Sequence, residues 1–415
     1  MKRVVVTGIG ALTPIGNGVS GYLKGLQEGI SGANIITQFD ASNFKTQFAC
    51  ELKDFNVGDF MHVREARRLD RFTILADISA AEAIENSGLD LESVNHDRAG
   101  VIWGAGIGGL STLETEIEGF ITGSGTPRYN PFMIPKMIPD IAAGHISIKY
   151  GFRGPNYATV SACASSSHAI AVAADQIRLG RCDIMVTGGS EAVVTKAAVG
   201  GFNGMKALST RNDDYLTASR PFDAERDGFV LGEGTATLIL EDLDHARKRG
   251  ATIYAEVVGY AATADAHHIT APHPEGLGAS NVMKLALEDA KLNPEDIDYI
   301  NVHGTSTPLG DIAETLAIKN VFGDHSYKLN ISSTKSMTGH LLGAAGAIEV
   351  LAGILAINHN FVPPTINHFT DDPEIDPKLN LTFNEAQERN VNAVLSNTFG
   401  FGGHNSSVIV KKFED

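Results

Sequence analysis

The feature that most constrains this chain is an order of elements that occurs twice. Residues 3–8 (RVVVTG) form a strand-like run, 65–88 a helical one with apolar residues three and four apart, and 99–104 (AGVIWG) a second strand. A helix at 138–151, the strand YATVSA, a helix at 164–179 and strands at 183–189 and 235–240 complete the series. The second series runs strand 252–263, helix 280–291, strand 297–304, helix 311–323, strand 329–334, helix 343–357, then strands 392–400 and 405–410. In both, the third strand leads into a helix of small residues, ASSSHAIAVAA in one and GAAGAIEVLAG in the other. Alternating strands and helices argue an α/β protein. The repeat argues two similar halves, 1–250 and 251–415, with a site where equivalent strand ends meet.

Composition narrows the function classes. At 43% hydrophobic and 20% charged, the 415 residues carry ample core material. The net charge of −16 argues against a nucleic-acid binder. One stretch, HVREARRLDR at 62–71, is locally basic and reads as a solvated helix face or as a dock for an acidic partner. Three cysteines without CxxC spacing make no disulfide framework, so a reducing, cytoplasmic setting is expected. The N-terminal apolar run is a β-branched strand cut by glycines, and neither a secretory signal nor a membrane span is expected.

The loop GAGIGG (104–109) fits a dinucleotide-binding pattern, but no acidic residue follows about 20 positions on, and tight turns explain its glycines more simply. Cys163 is the stronger signal. A thiol just before the helix at 164–179 meets unpaired N–H groups and the positive end of a dipole, which favour thiolate. Cys50 and Cys182 read as inert buried residues. Two histidines stand where partners of a nucleophile would: His303 in NVHGTSTPLGD, and His340 in SSTKSMTGHLLGAAGA with Lys335 five residues upstream. A structural zinc site of Cys and His would need short ligand spacing that is absent here. In SNTFGFGGHNSS (396–407), Phe399 and Phe401 sit in a glycine-rich turn that reads either as a hairpin or as a hinged gate donating backbone N–H groups.

VSACASSSHAI, PFDAERDGFVLGEG, NVHGTSTPLGD, STKSMTGHLLGAAGAIE and NTFGFGGHN, in this order, resemble the β-ketoacyl-[acyl-carrier-protein] synthases, most nearly the type II elongating members. The resemblance covers essentially the whole chain. It implies the thiolase fold, a five-layer α/β/α/β/α sandwich of duplicated βαβαβ halves, in a homodimer. It implies decarboxylative condensation of a malonyl thioester with an enzyme-bound acyl group, with an acyl carrier protein as partner and no required cofactor. Cys163 is then the acyl acceptor, His303 and His340 assist decarboxylation, and Lys335 positions His340 and tunes the charge of the site. Thr305 and Thr307 match positions that bind the pantetheine arm, Ile107 lines the acyl pocket, and Phe401 is the gate, with Phe399 in the substrate site. Asn301, Glu349, Ser396 and Asn397 match positions that surround a monovalent cation. His404 stands where many relatives have threonine. An acidic carrier needs a basic dock, for which Arg67 and Arg68 on helix 65–88 and Arg128 and Lys206 in loops are the candidates. A non-catalytic chain-length partner of the same fold would lack the nucleophile, and type I or polyketide relatives would differ in acyl pocket and partner.

Overall fold

The computed structural model describes residues 1–414. Its first series is β1 (Val4–Thr13), α1 (Arg71–Ser87), β2 (Ala99–Gly104), α2 (Ile141–Tyr150), β3 (Asn156–Thr159), α3 (Ser165–Arg178), β4 (Ile184–Glu191) and β5 (Gly234–Asp242). The second is β6 (Ala255–Ala264), α4 (Leu277–Ala290), β7 (Tyr299–Asn301), α5 (Pro308–Phe322), β8 (Asn330–Ser332), α6 (Ala345–His359), β9 (Ala393–Gly400) and β10 (His404–Lys411).

Each series folds into five strands with one connectivity, β3-β2-β4-β5-β1 and β8-β7-β9-β10-β6. In both, the first three strands are parallel and the last two join antiparallel. The sheets meet edge to edge through two residue pairs, Val5 with Glu256 and Val6 with Ala255. Helices α1 and α2 cover the outer face of the first sheet, and α4 and α5 that of the second. Helices α3 and α6 pack on each other between the sheets, which makes the five-layer α/β/α/β/α sandwich.

Burial on both sides explains the composition of the middle layer. Helix α6 is buried from Ala345 to Ile357, so it needs no polar face. The sequence reading missed that Leu342–His359 is long and apolar enough to cross a membrane by length and composition; 89% of it is buried between the sheets, where the same apolarity serves a core helix. Small side chains let α3 approach closely: Ala347 N donates to Ser166 Oγ at 2.9 Å, and the Ser167 and Thr398 hydroxyls bond at 2.8 Å.

The helix expected at 65–88 is two pieces, a short turn of helix at Val63–Ala66 and α1. Asp70 makes the break, because its carboxylate accepts from Phe72 N at the start of α1 and from Thr112 N and Oγ1 at 3.0 and 2.5 Å. Arg67 and Arg68 therefore lie in the exposed turn between the two pieces, not along a helix face. Helices at Gly18–Glu28, Leu110–Thr122 and Lys196–Gly204 are further additions to the expected series.

Candidate active site

The nucleophile candidate sits on an elbow between β3 and α3. Ala162 adopts φ +50°, the left-handed region that a residue with a Cβ enters only under constraint. Ser165 supplies that constraint: its Oγ donates to Ala162 O at 2.7 Å and accepts from Ser161 N at 2.9 Å. Cys163 is thereby held just ahead of α3. The equivalent elbow of the second half, between β8 and α6, carries Lys335 and His340. The His340 backbone is fixed to a neighbouring segment, donating to Val230 O at 2.7 Å and accepting from Gly232 N at 2.9 Å. The Phe229 ring meets its imidazole edge-on at 5.3 Å. His303 follows β7, and its N–H and that of Gly304 donate to the two oxygens of Glu314 at 2.9 and 2.8 Å.

These segments converge. His340 Nε2 lies 3.0 Å from Cys163 Sγ, and the His303 and His340 rings are 5.3 Å apart at 86°. One donor atom from each of the three residues falls within 4.8 Å of the others. They open into a cavity of about 600 Å³ that Ile107, Thr305, Thr307, Phe399 and Phe401 also line. The Thr305 and Thr307 hydroxyls are bonded at 3.0 Å, and Phe399 packs against His303 at 5.7 Å.

The electrostatics overturn one expectation. Burial pushes the Cys163 thiol up to about 12, although the Lys335 charge and a hydrogen bond from the Phe401 backbone pull the other way. Proximity to a helix N-terminus is thus insufficient to make a thiolate here, because desolvation of the sulfur outweighs it. Burial first, and the Lys335 charge second, hold His303 and His340 well below the ordinary imidazole range. At neutral pH the resting site is a thiol beside two neutral imidazoles. Both Nδ1 atoms are buried without partners, which favours protons on Nε2 over unpaired buried N–H groups. Alkylation of Cys163 by iodoacetamide should accordingly keep rising from about pH 7 to about pH 10. A plateau near the ordinary thiol value of about 8.5 would contradict this.

Lys335 is buried and its ammonium pairs with the Glu349 carboxylate, so it acts on His340 through its field rather than by contact. Burial lifts Glu349 to about 7. Three buried oxygens beside this pair have no partner: Asn301 Oδ1, Ser396 Oγ and Glu349 Oε2. Asn301 and Ser396 face each other across β7 and β9, and Asn301 Nδ2 donates to Glu349 O at 3.3 Å. This donor set fits the monovalent cation that the resemblance implies. Asn397 needs a correction, since its side chain turns away to donate to Glu314 at 3.2 Å and accept from Ser407 at 2.6 Å, leaving only its backbone oxygen to offer.

Phe401 begins the turn between β9 and β10, in which Gly402 and Gly403 take φ +90° and +75°. A Cβ on Gly402 would lie 2.9 Å from His404 Nε2, so the His404 ring packs over the turn rather than disturbing it. Of the docking candidates, Arg67, Arg68, Arg128 and Lys206 are all exposed. Lys206 lines the cavity, and the Arg68 guanidinium lies 5.5 Å from the Phe132 ring centre. Sequence reasoning missed Phe229, Glu314 and Glu191, the last a fully buried carboxylate at the end of β4. Only Phe229 lay inside a motif quoted above.

A cysteine on a strained elbow, faced by two neutral histidines from the duplicated half, defines an acyl-transfer enzyme of the thiolase fold. A model of the beta-ketoacyl synthase N-terminal domain matches residues 1–246, and one of the C-terminal domain matches 254–369. The chain belongs to the beta-ketoacyl synthase family. It is 49% identical over 413 residues to the 3-oxoacyl-[acyl-carrier-protein] synthase 2 of Staphylococcus aureus (strain COL), covering 100% of this chain and 99% of that one. The same identity and coverage hold for the protein of that name from Synechocystis sp.. Among solved structures, a type II PKS ketosynthase in complex with its acyl-carrier protein and bound to the hexaketide aligns with a TM-score of 0.90 at 32% identity, over 99% of this chain and 100% of that one.

Proposed function

We propose that this protein elongates acyl chains of type II fatty-acid synthesis by two carbons, condensing malonyl-acyl-carrier protein with an acyl group held on Cys163. The observation that carries the reading is the 3.0 Å contact between Cys163 Sγ and His340 Nε2, with the His303 ring 5.3 Å from that of His340, inside a large cavity. Sulfur attacks the incoming thioester carbonyl, the carrier thiolate leaves, and it takes up the proton that the Cys163 thiol gives up, while His340 Nε2–H stays a donor. Malonyl thioester then loses CO2, and the electron pair of the broken bond becomes an enolate. The Nε2–H groups of His303 and His340 hold its oxygen. Its carbon attacks the acyl-cysteine carbonyl, whose oxyanion meets the backbone N–H groups of Cys163 and Phe401, and the Cys163 sulfur departs with the electron pair of the broken bond and regains its proton from water. A cation held by Asn301, Ser396 and Glu349 would supply positive charge behind the Lys335 pair. No step needs another cofactor.

The name shared by the relatives and the carrier protein bound to the type II PKS ketosynthase support an acyl carrier protein as the partner of this chain. Arg67, Arg68, Arg128 and Lys206 are its proposed contacts, being exposed cations on a chain of net charge −16. Strand β3 is the outer strand of its sheet and exposes Tyr157 and Val160 beside it, so a second copy is proposed to pair there in a homodimer. Three unpaired cysteines suit a reducing cytoplasm.

The decisive measurement separates the two half-reactions. His303→Ala and His340→Ala should each still take up acyl groups, seen by intact mass. CO2 release from malonyl thioester should fall about 10²- to 10⁴-fold. Normal CO2 release in both variants would refute the assignment.

A further inference from the structure

We propose that Glu191 is a positioning residue: its carboxylate ties the acyl-pocket loop to the turn that carries His340, so an acyl chain seated against Ile107 is felt at the catalytic histidine. Glu191 ends β4 and is fully buried. Its Oε2 accepts from Gly106 N at 2.8 Å and Gly343 N at 2.9 Å, and its Oε1 from Ile107 N at 3.2 Å and Gly108 N at 3.3 Å. All four partners are backbone N–H groups, three from the loop after β2 and one from the turn before α6. The two segments lie back to back, since a Cβ on Gly343 would sit 2.1 Å from Gly106 N.

What each segment carries gives the clasp its meaning. Ile107 and Leu342 both line the cavity. Leu342 takes φ +45°, a strained conformation for a branched side chain that lasts only where the surroundings over-determine it. The hydrogen bond from the next residue, Gly343, to Glu191 is one such restraint. Leu342 also packs in one apolar cluster with Cys163 and Phe229, the ring that abuts His340. A displacement of Ile107 by a long acyl chain therefore pulls on a carboxylate that holds the strained turn two residues beyond His340. Only a carboxylate suits this place, because it accepts at every lone pair and carries no donor. An amide would point N–H groups at N–H groups.

The inference rests on the acyl-transfer reading above, and its test fails separately from that reading. In Glu191→Gln, the ratio of Cys163 acylation rates from palmitoyl and hexanoyl carrier-protein thioesters, followed by intact mass, should shift about tenfold. That is a fraction of the ~10²-fold that a 1 Å misplacement costs. A folded variant with an unchanged ratio would overturn the clasp. Should the variant not fold, hydrogen exchange on the wild-type protein decides instead. With Cys163 alkylated by a long-chain or a short-chain reagent, the amides of 106–108 and 341–343 should change protection together. Independent responses of the two segments would overturn the proposal. Absence of acylation by any thioester would instead refute the acyl-transfer reading and leave the exchange experiment standing.

Discussion

In a Cys163→Ala protein, condensation should fall by the order of 10⁶-fold, the scale on which removal of a nucleophile acts, while CO2 release from malonyl thioester persists. Acyl transfer needs a soft nucleophile at the elbow, and the other two cysteines offer none. Cys50 is buried in a separate apolar cluster and Cys182 is fully buried in the core, whereas Cys163 lines the cavity beside His303 and His340. The proposed enolate donors, His303 and His340, do not depend on the sulfur, so idle decarboxylation should survive its loss. Peptide mapping after incubation with acyl-carrier protein should find the label on Cys163 in the wild type and nowhere in the variant. Transfer retained by the variant, or label on Cys50 or Cys182, would exclude Cys163 as the acceptor.

Lys335→Met should produce the largest loss of stability, about 3–5 kcal/mol, because it strands the Glu349 carboxylate in the interior. The double variant Lys335→Met/Glu349→Gln should recover most of that loss, since neither partner is then a buried charge. Denaturant unfolding of the four proteins of the cycle measures it; equal loss in the single and double variants would mean the pair contributes no more than its packing. Activity carries a second signature. The Lys335 charge lowers the proton affinity of both histidines. Without it they hold protons at higher pH, so the acid limb of CO2 release should move toward neutrality in the single variant.

How far the sequence reaches is clear from particular residues. The duplicated order of elements survives because each strand and helix is set by local periodicity, and Cys163, His303 and His340 stand out because they end such elements. The break at Asp70 was hidden because it depends on Thr112, 42 residues away. The charge state of Cys163 was misjudged because a dipole is legible in the order of residues, whereas desolvation is a property of everything packed around the sulfur. Glu191 gave no signal, since its partners lie 83–85 and 152 positions away and are backbone atoms, which carry no residue type. The side chain of Asn397 points away from that of Ser396 because neighbouring strand residues face opposite ways, but which of the two faces Asn301 is set only by the fold.

The largest apolar cluster runs from Val4 and Val6 through Ile170 and Leu238 to Ile348, Val394 and Val408, crossing from one half of the chain to the other. Two units that each filled their own interior could melt one after the other. Here neither sheet can keep its inner face dry once its counterpart has left, so the loss of one exposes the middle layer that both share. The duplication visible in the chain is therefore a duplication of pattern and not of folding units. The protein should be born, and should denature, as a single cooperative body, with its reacting groups assembled only when that body is complete.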